Sequence, residues 1–260
     1  MRFTKMHGLG NDYLYYYGEL EHPDKLAVQL SDRHFGIGAD GIIQITPSDI
    51  ADFKMRIFNA DGSEARMCGN GIRCVGKYVY EKGYTKKESM EIETLSGIRF
   101  LQLAVWENEV KSITVDMGKA KVEVPVTLMA AGEAITCTPV SVGNPHAVIF
   151  VRDAEHAPLD RIGPEIEKNP YFPNGVNVEF AEQIERNALR MRVWERGSGI
   201  TMACGTGACA TTAAAVVAGM CPMGEEIIVE LDGGKLRIKV KEDYTIVMTG
   251  TADTICECEV

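Results

Sequence analysis

Two glycine-rich loops, each carrying a cysteine, divide the 260-residue chain into similar halves. The segment FNADGSEARMCGNG (58–71) aligns with WERGSGITMACGTG (194–207) when Cys68 is superposed on Cys204. An aromatic residue followed by a polar residue opens both segments, and a helix-compatible run follows both loops. Further upstream, GLGNDY and SVGNPH align in the same order. A repeat of half the chain length indicates duplication of a structural unit rather than a solenoid.

The repeated unit suggests a chemistry for the two cysteines. A strand leads through the glycine-rich turn into a helix, whose first backbone amides have no partner within the helix. Those amides and the helix dipole favour an anion, and a cysteine placed there can have a lowered pKa and react as a thiolate. If the halves face each other with two-fold pseudosymmetry, Cys68 and Cys204 lie on opposite sides of one cleft. Two opposed cysteines suit inversion at the α-carbon of an amino acid, one acting as thiolate base and the other as thiol acid.

Hydrophobic periodicity predicts more strands than helices, and therefore an α/β (α+β) chain. Strand patterns occupy GIIQIT, the stretch 89–117, and a hairpin through Asp232-Gly233-Gly234 that a third strand follows. Helices are predicted over 25–34, 71–83, 159–169 and 207–220. The segment GIGADG (36–41) fits the pattern GxGxxG, but a helix precedes it and a strand follows it. That order is the reverse of a dinucleotide-binding turn.

Composition limits the classes of partner and compartment. The chain is 45% hydrophobic and carries a net charge of −10, which argues against nucleic acid or an anionic membrane as its partner. The N-terminal residues lack an apolar signal-peptide core, and the run 203–220 reads as a buried helix of small residues. A cytoplasmic location is therefore expected. The eight cysteines lack the tight Cys and His spacing of zinc sites, and we expect most to be buried apolar residues without disulfides.

Several segments together resemble the diaminopimelate epimerases, which are pyridoxal-phosphate-independent enzymes of lysine and peptidoglycan precursor synthesis. The resemblance runs nearly end to end, through MHGLGNDY, DRHFGIGAD, IFNADGSEARMCGNGIRC, GNPHAV, GVNVEF, ERGSGITMACGTGACA and MTGTA. It implies two pseudosymmetric lobes, each a barrel-like, mostly antiparallel sheet around a central helix, with the active site in the cleft between them. The lobes are expected at 1–117 and 118–250, with a C-terminal strand, 251–260, returning to the N-terminal lobe.

The same resemblance implies roles for individual residues. Cys68 and Cys204 are the expected catalytic pair, and His146 and Glu195 are expected to tune or assist them. Residues expected to bind the amino-acid substrate are Asn11, Asn59, Gly69, Asn70, Asn144, Asn177, Glu195, Arg196, Gly205 and Thr206. We expect no metal, no pyridoxal phosphate and no other cofactor, a small-molecule substrate, and a homodimer.

Two positions depart from the family pattern. Many members have Gln where this chain has Gly41, so a substrate contact is either lost here or made by another group. The second loop reads CGTG where CGSG is common, and Thr206 keeps the hydroxyl group.

Three other functions remain compatible with these residues. The chain could be an epimerase or racemase of another amino acid, such as histidine or proline. It could be an acyl-transfer enzyme in which Cys68 or Cys204 is the nucleophile and His146 the base. It could also be a binding module that holds an anion at its two helix N-termini.

Overall fold

The computed structural model describes all 260 residues, and the chain divides into two compact units. The first unit comprises Met1–Val115 and Thr249–Val260, and the second comprises Asp116–Met248. In chain order, the first elements are β1 (Arg2–Gly8), β2 (Asn11–Tyr17), α1 (Pro23–Ser31), β3 (Gly41–Thr46), β4 (Phe53–Asn59), β5 (Glu64–Ala65), α2 (Gly69–Glu81), β6 (Ser89–Thr94), β7 (Gly97–Trp106) and β8 (Glu109–Lys119). There follow β9 (Lys121–Val122), β10 (Val126–Ala130), β11 (Glu133–Ser141), β12 (Pro145–Phe150), α3 (Leu159–Glu167), β13 (Asn177–Glu185), β14 (Ala188–Glu195), β15 (Gly199–Thr201), α4 (Gly205–Val217), β16 (Glu226–Leu231), β17 (Gly234–Val240), β18 (Thr245–Gly250) and β19 (Asp253–Glu259).

The two units repeat one strand topology. In the first, β1 pairs antiparallel with β2, β2 parallel with β3, β3 antiparallel with β4, and β4 parallel with β6. In the second, β11, β12, β13, β14 and β16 pair in the same order with the same directions. A short strand and then a helix follow β4 and β14 alike. The duplication predicted from the sequence is therefore present in the fold.

The predicted fold class is confirmed, because the chain is a mixture of mostly antiparallel strands and four helices. The strands do not close into complete barrels. All four helices lie where the sequence predicts them. Helix α1 begins earlier than predicted, at Pro23, because proline is well accommodated in the first turn of a helix. The C-terminal strand β19 pairs antiparallel with β1.

Helix α2 lies in the interior of the first unit, and its residues are buried from Gly69 to Tyr80. Two of the buried side chains are basic. Arg73 donates to the carbonyl oxygens of Gly69 and Thr251 at 3.0 and 3.1 Å, and Lys77 donates to that of Val110 at 3.1 Å. These bonds offset the cost of removing charged groups from water, and they hold the first turn of the helix in place.

Helix α4 occupies the corresponding position in the second unit. Its side chains are mostly Ala and Thr, and nearly all of them are buried. Small side chains let the strands of this unit approach the helix closely. No helix in the structure is long and apolar enough to span a membrane.

Candidate functional site

Both cysteines of the repeat are the N-cap residues of buried helices. Cys68 precedes α2 and Cys204 precedes α4, and both have extended backbone angles. The sulfur of Cys68 accepts a hydrogen bond from the backbone N–H of Gly71 at 3.3 Å. The sulfur of Cys204 accepts the same bond from Gly207, also at 3.3 Å. Both predicted helices are present, but they begin at Gly69 and Gly205, two residues earlier than predicted, so that the glycine-rich loop forms the first turn. Both thiols therefore face the positive end of a helix dipole.

In the first unit, Asn11 lies beside Cys68. The thiol of Cys68 donates to Oδ1 of Asn11 at 3.3 Å. The amide Nδ2 of Asn11 donates to Oδ2 of Asp40 at 2.7 Å, and Asp40 is in turn paired with Arg33 at 2.9 Å. Because a carboxylate only accepts hydrogen bonds, Asp40 fixes Asn11 with its oxygen toward the sulfur. Gly69 and Asn70, expected to bind substrate, form the buried first turn of α2.

Asn59 and Gly41 face each other across the pairing of β3 with β4. The Asn59 amide donates to Oγ of Ser63 at 3.0 Å. A Cβ atom added at Gly41 would lie 2.1 Å from the carbonyl oxygen of Phe58. The backbone of this chain therefore excludes any side chain at residue 41, glutamine included.

Cys204 is 5% exposed, and its surroundings oppose ionisation. Burial raises the pKa of its thiol well above the ordinary value, and the negative charges of Glu195 and Glu179 raise it further. Hydrogen bonds from Thr206 and the Gly207 amide act in the opposite direction and are outweighed. The expectation of a lowered pKa at the helix N-terminus is therefore wrong for Cys204, because desolvation and two carboxylates exceed the effect of the helix.

Glu195 also has a raised pKa. Burial raises the pKa of its carboxyl group, and the charge of Glu179 adds to that effect. Thr201 donates its hydroxyl to Oε1 of Glu195, and Cys204 makes a side-chain hydrogen bond to the same carboxyl group. Glu195 thus lies where it can exchange a proton with Cys204 or hold that thiol in one orientation.

His146 is fully buried and is bonded through both ring nitrogens. Its Nδ1 lies 2.6 Å from Oε1 of Glu179, and its Nε2 lies 3.1 Å from Oδ1 of Asn144. Nδ2 of Asn144 donates to Oγ1 of Thr206 at 3.2 Å, and that oxygen lies 3.5 Å from the sulfur of Cys204. A chain of hydrogen bonds therefore joins Glu179 to Cys204, with His146 two residues removed from the sulfur.

Sequence reasoning did not identify Glu179, although it lies within the GVNVEF segment. A signal was present, because Glu179 is a carboxylate between Val178 and Phe180, in the buried first half of β13. It is also two residues from Asn177, and alternate residues of a strand share a face. A charged residue in a fully buried strand requires a partner or a function.

Asn177, the first residue of β13, contacts Arg196 in the turn that follows β14. The backbone N–H of Arg196 donates to Oδ1 of Asn177 at 2.9 Å. The exposed guanidinium group of Arg196 donates to the carbonyl oxygen of Asn174 at 2.8 Å. Gly205 and Thr206 form the first turn of α4. No group of three or more His, Cys, Asp or Glu side chains is arranged to hold a metal ion.

The sequence of this chain matches a known protein family along most of its length. A family model described as diaminopimelate epimerase matches residues 3–123 and 138–255. The chain is 48% identical to the diaminopimelate epimerase of Acetivibrio thermocellus, over 100% of this chain and 98% of that protein. It is 49% identical to the diaminopimelate epimerase of Bacillus subtilis, over 98% of this chain and 97% of that protein.

Solved structures resemble the chain in fold at lower sequence identity. A phenazine biosynthesis protein of the PhzF family from Bacillus anthracis has a TM-score of 0.79 and 21% identity, covering 100% of this chain and 98% of the other. A hydroxyproline epimerase from Agrobacterium vitis has a TM-score of 0.78 and 18% identity, covering 99% and 91%. These structures show the fold, and the sequence matches along almost the whole chain show the lineage. The chain belongs to the diaminopimelate epimerase family.

Proposed function

We propose that this chain is an isomerase that converts LL-2,6-diaminopimelate to the meso form without pyridoxal phosphate or a metal. Relatives of that name are about half identical to it over nearly their whole length, which supports the substrate. The structural observation that carries the chemistry is the repeated N-cap geometry, in which Cys68 and Cys204 each accept one amide hydrogen bond at 3.3 Å. A reaction that removes a proton from one face of a carbon and adds one to the other needs two such groups.

In the proposed reaction, the thiolate of one cysteine removes the α-proton, so that an S–H bond forms as the Cα–H bond breaks. The electron pair left on the α-carbon spreads into the carboxylate as an enolate-like species. The thiol of the other cysteine then delivers its proton to the opposite face, and that cysteine becomes the thiolate. No redox change occurs, and the two cysteines exchange roles for the reverse direction. The mechanism requires both sulfurs to reach the same α-carbon.

The surroundings of Cys204 support its role as the acid in the resting enzyme. Its pKa is raised by burial and by two carboxylates, so the free enzyme holds a proton on this sulfur. Cys68 is partly exposed, and its thiol donates to Oδ1 of Asn11. We therefore assign the acid to Cys204 and the base to Cys68, whose proton must leave the hydrogen bond to Asn11 before the sulfur can act as a base.

The helix N-termini supply the electrostatic part of the proposal. Backbone amides at Gly69-Asn70 and Gly205-Thr206 begin α2 and α4. We assign them to the substrate α-carboxylate, because donors placed where negative charge develops stabilise the transition state most. Asn11, Asn59, Asn144, Asn177, Glu195 and Arg196 complete the proposed substrate-binding set.

The proposed setting is a lysine and peptidoglycan precursor pathway in the cytoplasm. All eight cysteines are free thiols in the structure, which suits a reducing compartment. We further propose a homodimer, on the basis of family membership.

The test is a turnover panel in deuterium oxide with LL-diaminopimelate, histidine, proline and glutamate. Epimerised diaminopimelate should carry deuterium at the inverted carbon, and Cys68→Ser and Cys204→Ser should each lower kcat by at least about a hundredfold, because general acid–base groups contribute that much. Cys256→Ser is the matched control, since Cys256 is an exposed cysteine on β19, and it should leave kcat unchanged.

Each alternative function gives a different result in this panel. Preferential turnover of histidine or proline would replace the proposed substrate. Dependence on only one cysteine would favour the acyl-transfer enzyme. Binding of amino acids with no deuterium incorporation into any of them would favour the anion-binding module.

A further inference from the structure

The carboxylate of Glu179 is a buried group that the proposed proton transfers do not use. Its residue is 0% exposed, and its atom Oε2 has no hydrogen-bond partner. Its other oxygen, Oε1, lies 2.6 Å from Nδ1 of the equally buried His146. A buried carboxylate with an incomplete set of partners is costly unless its charge is compensated. A buried carboxylate at this position therefore requires a compensating charge and indicates a function.

Two positive groups compensate the charge of Glu179. One is the ring of His146. The other is the N-terminus of α4, because a Cβ atom added at Gly207 would lie 2.8 Å from Oε1 of Glu179. A helix N-terminus carries roughly half a positive charge, which stabilises an anion packed against its first turn. The carboxylate thus lies between the imidazole and the turn whose amide bonds the sulfur of Cys204.

The hydrogen bonds of His146 constrain its protonation. Nδ1 faces Oε1 of Glu179 and carries a proton, because a carboxylate only accepts hydrogen bonds. Nε2 faces Oδ1 of Asn144. A second proton on Nε2, donated to that oxygen, makes the ring an imidazolium ion paired with Glu179.

We propose that His146 is an imidazolium ion paired with Glu179, and that Glu179 is a positioning residue that acts through this ring to fix the orientation of Asn144. The doubly protonated ring holds Oδ1 of Asn144, which directs Nδ2 toward Thr206 and the Cys204 loop. That amide has two N–H groups, and Thr206 takes one, so the second is presented to the substrate as a donor. With a neutral ring whose lone pair lies at Nε2, the amide would turn over and present its oxygen, which repels a substrate carboxylate. The predicted change in kcat/KM rests on the proposed function. The predicted orientation of Asn144 rests on the protonation of the His146 ring.

The first test measures the ring directly and needs no turnover. Proton–nitrogen correlation spectra of the protein labelled with 15N-histidine report whether each ring nitrogen carries a proton, and His146→Gln assigns the signals. Wild-type protein at pH 7.5 should show both nitrogens of His146 protonated. Glu179→Gln should show one protonated and one unprotonated nitrogen, since an uncharged amide no longer holds the cation. Glu185→Gln, an exposed glutamate on the same strand, is the matched control and should leave the spectrum unchanged.

The second test separates positioning from a general loss of structure. Glu179→Gln should lower kcat/KM for LL-diaminopimelate about tenfold, the equivalent of one charge-assisted hydrogen bond, mainly through KM. In an Asn144→Ala background, the same substitution should change KM by less than about twofold, because the residue through which it acts on substrate binding is absent. The charge of Glu179 also acts on Cys204 directly, and that effect falls on kcat in both backgrounds. Glu185→Gln should have no effect in either background.

Three results would overturn the inference. They are an unprotonated ring nitrogen on His146 in wild-type protein, an unchanged kcat/KM in Glu179→Gln, and an equal rise in KM in both backgrounds. Failure of the proposed function can be distinguished from failure of this inference. In that case wild-type protein would not turn over LL-diaminopimelate, whereas the spectrum of the His146 ring would still show whether both nitrogens are protonated. If Glu179→Gln does not fold, the spectrum of the wild-type protein still tests the inference, because an unprotonated ring nitrogen on His146 would overturn it.

Discussion

Cys68 and Cys204 cap two different helices with the same geometry and in opposite electrostatic surroundings. Each sulfur accepts a hydrogen bond at 3.3 Å from the amide three residues later. Cys68, however, is partly exposed beside an asparagine amide, whereas Cys204 is buried beside carboxylates. The two helices therefore share one type of cap, but the side chains around the two sulfurs differ. Burial and carboxylates keep the proton on Cys204, which suits the acid of the proposed pair.

The raised pKa of Cys204 predicts how its alkylation depends on pH. The thiolate reacts with iodoacetamide and the thiol does not, so wild-type Cys204 should react only at strongly alkaline pH. Glu195→Gln removes one of the negative charges that raise the pKa, and should therefore increase the alkylation rate several-fold at pH 9. Peptide mapping by mass spectrometry separates Cys204 from the other thiols. Glu242→Gln, an exposed residue, is the control, and equal rates in Glu195→Gln and wild type would contradict the electrostatic account.

Asp12 should stabilise the protein at neutral pH and not at acid pH. Burial raises the pKa of this carboxyl group, but hydrogen bonds and charge from Arg33 and Lys5 outweigh burial, and the net pKa is lowered. A lowered pKa in the folded state gives stability that is present above about pH 4 and is lost as pH falls through the folded value. Asp12→Asn should therefore lower the free energy of unfolding by about 1.5–3 kcal/mol at pH 7.

Thermal unfolding of Asp12→Asn and wild type at pH 7 and pH 3 measures this effect. The difference in Tm should be large at pH 7 and should narrow at pH 3. Asp49→Asn, an exposed aspartate, should show no difference at either pH. A difference in Tm between Asp12→Asn and wild type that is the same at pH 7 and pH 3 would show that the charge of the Asp12 carboxylate is not the source of the stability.

The local parts of the site were predictable from the sequence, whereas its electrostatics were not. A helix start depends on adjacent residues, so the Cys-Gly-x-Gly repeat was enough to place Cys68 and Cys204 at two helix N-termini. The role of Glu179 depends on the parallel pairing of β12 with β13, which brings His146 beside Asn177. That pairing joins segments far apart in the chain. The raised pKa of Cys204 was not predictable for the same reason, because it comes first from burial in the folded chain and then from the charges of Glu195 and Glu179, which lie on separate strands.

Gly41 cannot be replaced by a residue with a side chain without loss of stability. The clash arises at Cβ, which would lie 2.1 Å from the carbonyl oxygen of Phe58, so the length of the side chain does not matter. Gly41→Ala and Gly41→Gln should each lower the free energy of unfolding by at least about 2 kcal/mol, and Gly41→Gln should not raise kcat/KM.

Gly132→Ala serves as the reference for backbone strain alone. Gly132 has φ +77° and open space around its Cβ position, so its substitution should cost only the backbone strain, about 1–2 kcal/mol. Urea unfolding of the three variants makes the comparison. If Gly41→Ala costs no more than Gly132→Ala, the close approach to Phe58 does not constrain residue 41.

The proposed mechanism predicts reversible inactivation by oxidation. Two thiols that reach one α-carbon are close enough to form a disulfide, in which each sulfur loses a hydrogen and peroxide is reduced to water. The exposed pair Cys256 and Cys258, whose sulfurs lie 3.6 Å apart, would also oxidise and confuse the measurement. The experiment therefore uses the Cys256→Ser/Cys258→Ser background. Peroxide should abolish most of the activity, dithiothreitol should restore it, and peptide mapping should find Cys68 joined to Cys204. Full activity in protein whose Cys68 and Cys204 are both shown to be blocked would refute the assignment of the proton transfers to these thiols.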